Sequence, residues 1–282
     1  MDANMDVNIN ADMGVNTDNK ALELRGLTKH FGGLVAVNDL SLTMYKRSIH
    51  ALIGPNGSGK TTTVNIINGV TPETSGEIFF YGEKISGLKS NSIANKGIGR
   101  TFQNIKLFNT LTVLENIMVG GHSLEGNSKG LVKYLFDVPG SFREEKLIKE
   151  KAEAVLDFIG MKDDSGKPVG SLPYGRQKVT ELGRALMTEP KLIILDEPAA
   201  GLNPSERAVL IDVFMKAFES GIDLFLIEHN MDVIMNISTI ITVLNFGSKI
   251  AEGTASEIQS NDEVIKAYLG RKYARTELHK DI

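Results

Sequence analysis

Residues 54–61 read GPNGSGKT, and the segments on either side of them restrict the fold more than any other feature of the chain. Upstream lies IHALI, residues 49–53, an apolar run suited to a buried central strand. Downstream, TTVNIING reads as a helix that stops near Gly69. A turn of the form G-x-x-x-x-G-K-[ST] between a strand and a helix is the pattern of a phosphate-binding loop. Gly54, Gly57 and Gly59 let the backbone turn tightly and leave room for phosphate oxygens. Backbone N–H groups and the positive helix end then face those oxygens. Lys60 supplies a mobile charge for the terminal phosphates and Thr61 a hydroxyl for Mg2+. The candidate nucleotide contacts are Gly54, Pro55, Asn56, Gly57, Ser58, Gly59, Lys60, Thr61 and Thr62. Without its flanks the segment is a glycine-rich turn with a solvated lysine.

LIILDEP supplies a second half. Four apolar residues bury a strand, and Asp196 appears as that strand emerges. Neighbouring side chains at a strand end point to different sides, so Asp196 and Glu197 can divide the work. Asp196 can reach the Mg2+ shell, while Glu197 can orient or deprotonate an attacking water. Gln103 follows the strand-like GIGRTF and could meet the metal, the water or a γ-phosphate; His229 ends the strand IDLFLIE and could donate to a γ-phosphate oxygen. Read singly, each is an ordinary polar residue at a strand exit. A nucleotide site built from several strand ends is the expected geometry of a parallel α/β sheet.

The rest of the chain supplies that sheet. Residues 1–20, rich in Asn and Asp, read as a disordered tail, and 271–282 as a C-terminal tail. Between them, 21–270 reads as one domain. ALELRGL and Leu34–Met44 read as strands of a partly antiparallel sheet, and EIFFYG as another short strand. A helix begins near Val113 through the Thr112–Glu115 capping spacing, and Gly120–Gly140 reads as a variable loop. Leu147, Ile148, Ala152, Val155, Leu156 and Ile159 then form an apolar helical stripe, so that about 104–188 makes a helical insertion. A helix over Ser205–Phe218, a short one from Asn230, late strands IITVL and KIAEG and a final helix DEVIKAYLG complete an α/β sheet covered on both faces.

Composition narrows the function. The net charge of −4 gives no electrostatic reason to expect nucleic acid as the main partner. With no cysteine, disulfides, thiolate catalysis and cysteine metal sites are excluded, which is compatible with a reducing compartment. No stretch approaches the roughly 20 apolar residues of a spanning helix, and the N-terminus lacks the pattern of a secretion signal. Membrane association would come through a partner or a peripheral surface.

The ordered set of loop, Gln103, a segment at 172–176, Asp196–Glu197 and His229 resembles the ATP-binding-cassette ATPases over Leu22–Gly270. FGGLVAVNDLSL, GRTFQNIKLF, LTVLENI, SLPYGRQ, DEPAAGLNP and LIEHNMDVIM are most similar to ATPase subunits of branched-chain amino acid importers. The resemblance implies a P-loop NTPase core with an antiparallel β subdomain and a helical signature subdomain. It also implies a head-to-tail dimer, of two copies or of paralogues, with ATP and Mg2+ between the loop of one subunit and the signature segment of the other. Here that segment is Leu172, Pro173, Tyr174, Gly175 and Arg176, whereas the wider family has LSGGQ. Pro173 offers neither the serine hydroxyl nor an N–H, but Gly175 and the following helix can still face an anion. By itself the segment is a loop before a helix. The resemblance gives Phe31 to adenine stacking, Thr61, Gln103 and Asp196 to the metal, and catalysis to Lys60, Gln103, Glu197 and His229. Ala200–Asn203 would cross the dimer interface. Two membrane permease subunits and an extracytoplasmic solute-binding protein would complete the system, with this chain at the cytoplasmic face of the membrane.

Four positions depart from the family pattern. Arg47 stands where Gly is expected and is strained if the turn needs φ > 0. Thr239 and Ile240 replace Asp and Arg, and Val179 replaces a basic residue. Rival readings are an ATPase of this type acting on nucleic-acid or protein complexes, and a nucleotide-gated scaffold without hydrolysis.

Overall fold

The computed structural model describes residues 19–121 and 141–268, with side chains of the second stretch from 145 onward. β1 (Lys20–Phe31) and β2 (Leu34–Tyr45) form an antiparallel hairpin about Gly32, whose φ of 56° suits its lack of a Cβ. β4 (Ser75–Phe80) and β5 (Glu83–Lys84) extend this sheet in the order β2-β1-β4-β5. A second sheet contains β3 (Ile49–Ile53), β6 (Ile98–Arg100), β7 (Leu192–Asp196), β8 (Asp223–Ile227), β9 (Ile240–Asn245) and β10 (Ser248–Gly253). Its order is β10-β9-β3-β8-β7-β6, parallel except for β10.

Every residue of β3, β7 and β8 is buried, which is why these strands read as mostly apolar runs, with His50, Asp196 and Asp223 as their polar members. Alternation still divides their side chains between two cores. Ala51, Ile53, Ile193, Leu195, Leu224 and Leu226 join one. Leu52, Leu192, Ile194, Phe225 and Ile227 join the other. Each buried Leu, Ile or Phe contributes about 1.5–3 kcal/mol.

The first core is closed by α3 (Val113–Gly121), α4 (Ser141–Phe158), α5 (Tyr174–Leu186) and α6 (Pro204–Glu219). The second lies between the two sheets, with α1 (Lys60–Ile67) and α2 (Ser90–Asn95) at its side. The sheet is thus covered on both faces, the expectation from sequence, though not by helices alone. The antiparallel sheet does most of that work on one face, because Leu22, Leu24, Leu40, Leu42, Met44, Ile78 and Phe80 turn inward from it.

Local signals account for several boundaries. The Thr112 hydroxyl accepts the Glu115 N–H at 3.2 Å while Glu115 Oε2 accepts the Thr112 N–H at 2.7 Å, opening α3 with a reciprocal cap. The start of the variable loop moves, since Gly120 and Gly121 belong to the last turn of α3; a Cβ on Gly120 would lie 2.3 Å from the Arg184 carbonyl oxygen. Residues 122–140 of that expected loop, and the tails 1–18 and 269–282, fall outside the described residues. On α4, Ala152 and Leu156 are buried as the stripe predicts, but Leu147 is 54% exposed. Toward the C-terminus come α7 (Met231–Ile237), α8 (Ala255–Gln259) and a helical turn run over 262–268.

Candidate active site

The loop after β3 folds tightly because two glycines accept approaches that no other residue could. A Cβ on Gly54, where φ is 150°, would stand 2.2 Å from the Leu244 carbonyl oxygen. One on Gly59 would stand 2.5 Å from the carbonyl oxygen of Ala36 on β2. Lys60 is buried and folds back over the loop, its Nζ donating to the Gly54 carbonyl at 2.7 Å and the Pro55 carbonyl at 3.1 Å. The Ser58 hydroxyl is buried with no hydrogen-bond partner among the described residues, a donor and acceptor left over in the loop. Gly57 and Asn56 are exposed, as is Thr61 at the start of α1. An orphaned hydroxyl, a glycine cradle and a folded lysine fit an anionic ligand.

β3, β8, β7 and β6 lie side by side, and Gln103, Asp196, Glu197 and His229 stand at or after the ends of the last three. Asp196 and Glu197 do separate. Asp196, buried at the end of β7, accepts from Arg100 Nη2 at 2.8 Å. Glu197 turns the other way with φ 46°, a left-handed conformation that costs a non-glycine residue about 1–3 kcal/mol. Its N–H remains tied to the Ile227 carbonyl at 2.8 Å. Its carboxylate accepts from Gln103 Nε2 at 2.8 Å, and His229 Nδ1 lies 3.8 Å from the same oxygen. Gln103, Glu197 and His229 are thus one cluster, although they stand on three strand exits. Among the described residues no group of three or more His, Cys, Asp or Glu could hold a metal by itself. The oxygen donors of Thr61, Gln103 and Asp196 suit a hard cation that shares its shell with phosphate oxygens.

The segment Leu172–Arg176 heads α5, with Pro173 as its N-cap. Its neighbours within the chain belong to other elements: the Gly175 N–H donates to Glu206 Oε1 at 3.3 Å, and Arg176 Nε donates to Asp164 Oδ2 at 2.9 Å. Lys167 and Arg176, set against partial burial, hold the Asp164 carboxyl below its ordinary value. Tyr174 is 41% exposed. Phe31 stands at the hairpin tip, half-exposed, with Lys29 Nζ 5.0 Å from its ring centre. Asn203 caps α6 reciprocally with Glu206 and follows Gly201, whose φ is 76°.

Three residues that the sequence did not single out support this cluster. Arg100 joins Asp196 to Asn65 on α1, donating from Nη1 at 2.9 Å. Glu228, buried, accepts from the N–H groups of Ala199, His229 and Asn230 at 2.8, 3.0 and 3.2 Å, tying together the segments that follow β7 and β8. An acid closing the apolar run IDLFLI was the available signal. Lys178, buried on α5, donates to the carbonyls of Phe102 and Gln103. The departures are also absorbed. Arg47 has φ 57° and its N–H donates to Asp223 Oδ1 at 2.6 Å. Thr239 pairs with Ile49 through both its hydroxyl and its N–H, at 3.1 and 2.8 Å. Val179 is a core residue.

A family model described as ABC transporter matches residues 37–200, more than half of the chain. The chain belongs to the ABC transporter family. A second model, branched-chain amino acid ATP-binding cassette transporter, matches residues 248–274 of this ABC protein. It is 42% identical over 250 residues to the high-affinity branched-chain amino acid transport ATP-binding protein BraF of Pseudomonas aeruginosa, covering 88% of this chain and 97% of that one. With LivG of Escherichia coli, of the same description, identity is 39% at the same coverages. A crystal structure of an ATP-binding cassette of an ABC transporter in its ADP conformation superposes with a TM-score of 0.78 at 32% identity, over 89% of this chain and 99% of that one. The ABC chain is an ATP-hydrolysing subunit with the P-loop fold, the antiparallel sheet and the inserted helices of its family, and membership entails binding ATP with Mg2+. Among the described residues no helix is long and apolar enough to cross a membrane.

Proposed function

We propose that this subunit hydrolyses ATP at the loop Gly54–Thr62 and energises the import of branched-chain or related amino acids through two membrane permease subunits, fed by an extracytoplasmic binding protein. The observation that carries the catalytic part is the convergence of Gln103 and His229 on the Glu197 carboxylate, next in sequence to the buried Asp196. The cargo rests on the names of the BraF and LivG relatives and on the match at 248–274.

In this reading Lys60 swings from the Gly54 and Pro55 carbonyls to the terminal phosphates, while loop N–H groups and Ser58 hold the remaining oxygens. Thr61, Asp196 and Gln103 would hold Mg2+, which when bound would offset negative charge on the phosphoryl oxygens. Glu197 accepts a proton from, and orients, the attacking water; the amide of Gln103 fixes the carboxylate that does so. His229 donates toward a γ-phosphate oxygen, and Phe31, exposed at the hairpin tip, stacks on adenine. Leu172–Arg176 serves the nucleotide of a second ATPase subunit, identical or paralogous, since in its own chain the segment faces Glu206 and Asp164. Residues 21–270 act as one ATPase domain with the helices of about 104–188 as its signature lobe, placed peripherally at the cytoplasmic face of the membrane.

The test is ATPase turnover by the complex purified from membranes through this subunit and rebuilt in vesicles. Leucine, isoleucine or valine with the cognate binding protein should stimulate phosphate release. Stimulation only by chemically unrelated solutes overturns the cargo, and phosphate release no greater than that of Lys60→Ala overturns the hydrolysis.

A further inference from the structure

Segment 102–106 carries Gln103, yet it has no regular structure of its own after Thr101 makes the last strand bond to the Ile194 carbonyl. Backbone groups of such a segment need partners from elsewhere. Here they come from one side of α5. Lys178 Nζ donates to the Gln103 carbonyl at 2.8 Å and to the Phe102 carbonyl at 3.2 Å. One turn on, Glu181 Oε1 accepts the Lys106 N–H at 3.1 Å. A further turn on, Arg184 Nη1 donates to the Lys106 carbonyl. Successive residues three apart are neighbours on a helix, so the three side chains form a row. Lys178 and Glu181 are both buried. Burying a charged group is expensive unless it is bonded; Lys178 makes two bonds to this segment and Glu181 one through Oε1, while the buried Glu181 Oε2 has no hydrogen-bond partner among the described residues.

We propose that Lys178, Glu181 and Arg184 are positioning residues that clamp the backbone of 102–106 to α5, so that the Gln103 amide reaches Glu197. Because the signature segment heads the same helix, a displacement of α5 moves Gln103 with it. A change sensed at residues 172–176 thereby reaches the Glu197 carboxylate through a chain of three contacts: α5 side chain to 102–106 backbone, Gln103 backbone to its own amide, amide to carboxylate. The coupling path is physical rather than a matter of proximity: its middle link is covalent, and its first and last are hydrogen bonds that a substitution can remove. The inference rests on the roles given above to Gln103 and Glu197.

The test is a double-mutant cycle in the full complex purified from membranes, with single-turnover hydrolysis and ATP affinity measured separately. Lys178→Met should lower the single-turnover rate about tenfold or more while ATP affinity stays within about twofold. Lys178→Arg, which keeps two donors, should restore most of the rate. Added to Gln103→Ala, Lys178→Met should lower the rate by less than about twofold, because the contact it supports is already gone. Arg184→Met enters the same cycle with the same expected and opposing outcomes, should Lys178→Met not assemble. A wild-type rate for both methionine variants overturns the clamp, as does a loss that multiplies fully with that of Gln103→Ala. A wild-type rate for Gln103→Ala itself overturns the role of Gln103, and the clamp with it; a slowed Gln103→Ala beside an additive Lys178→Met overturns the clamp alone.

Discussion

Gln103 Nε2 donates to Glu197 Oε2 at 2.8 Å across 94 residues of sequence. One partner leaves β6 and the other leaves β7, which are adjacent parallel strands, so the contact is a product of sheet order. It also explains why Glu197 bears a left-handed backbone: φ 46° aims its carboxylate away from that of Asp196, which is taken by Arg100.

The glycine cradle gives a first prediction. Gly54→Ala would drive a methyl group to 2.2 Å from the Leu244 carbonyl oxygen and 2.6 Å from Ser58 Oγ. The Leu244 carbonyl belongs to the backbone of β9 and cannot turn away, so urea unfolding should show a loss of about 1–3 kcal/mol. Nucleotide affinity, measured by equilibrium dialysis, should fall by at least about tenfold, because the loop cannot close around an anion without that approach.

Arg47 gives a stability prediction of the opposite sign. At φ 57° it carries a steric cost of about 1–2 kcal/mol. Glycine removes this cost but gives up about 0.4–1 kcal/mol through a freer unfolded chain. The bond to Asp223 comes from the Arg47 N–H and survives the change. Arg47→Gly should therefore leave the protein as stable as before or more stable by about 1 kcal/mol in urea unfolding, and destabilisation would show that its side chain has a task.

His50 predicts a pH dependence. Its ring is buried on β3, Nε2 lies 2.9 Å from Thr242 Oγ1, and Phe225 stacks on it at 5.7 Å. Burial, aided by Lys249, lowers its pKa from 6.5 to about 3. Above pH 6.5 the ring is neutral in both folded and unfolded chains. As the pH falls from 6.5 toward 3 only the unfolded chain takes up the proton, so stability is lost by about 1 kcal/mol per pH unit. His50→Gln should show a shallower loss between pH 6.5 and 5, measured by urea unfolding across that range. Parallel curves would contradict the buried neutral ring.

How far the sequence discloses this site depends on what kind of signal each part leaves. The loop declares itself because phosphate binding needs glycines and a lysine at fixed spacing, and Asp196–Glu197 because they interrupt an apolar run. Strands β3, β7 and β8 are equally legible as mostly apolar segments. Gln103 and His229 carry no such local mark; only the sheet order brings them to Glu197. Lys178 and Glu181 were invisible for a different reason. On a helix with this many polar residues a lysine and a glutamate read as a solvated face, and their burial follows from the irregular backbone of 102–106 lying against them. The antiparallel sheet as cover for one face was likewise hidden, since the strands could be read but not the way they stack.

The central claim is that Glu197 activates the water that attacks ATP. Glu197→Gln keeps the shape of the side chain and can still meet Gln103, but it cannot take a proton. Single-turnover hydrolysis in the purified complex measures that step directly. A rate lowered by about 100-fold or more with ATP affinity unchanged is the predicted result; hydrolysis by Glu197→Gln at the wild-type single-turnover rate would contradict it.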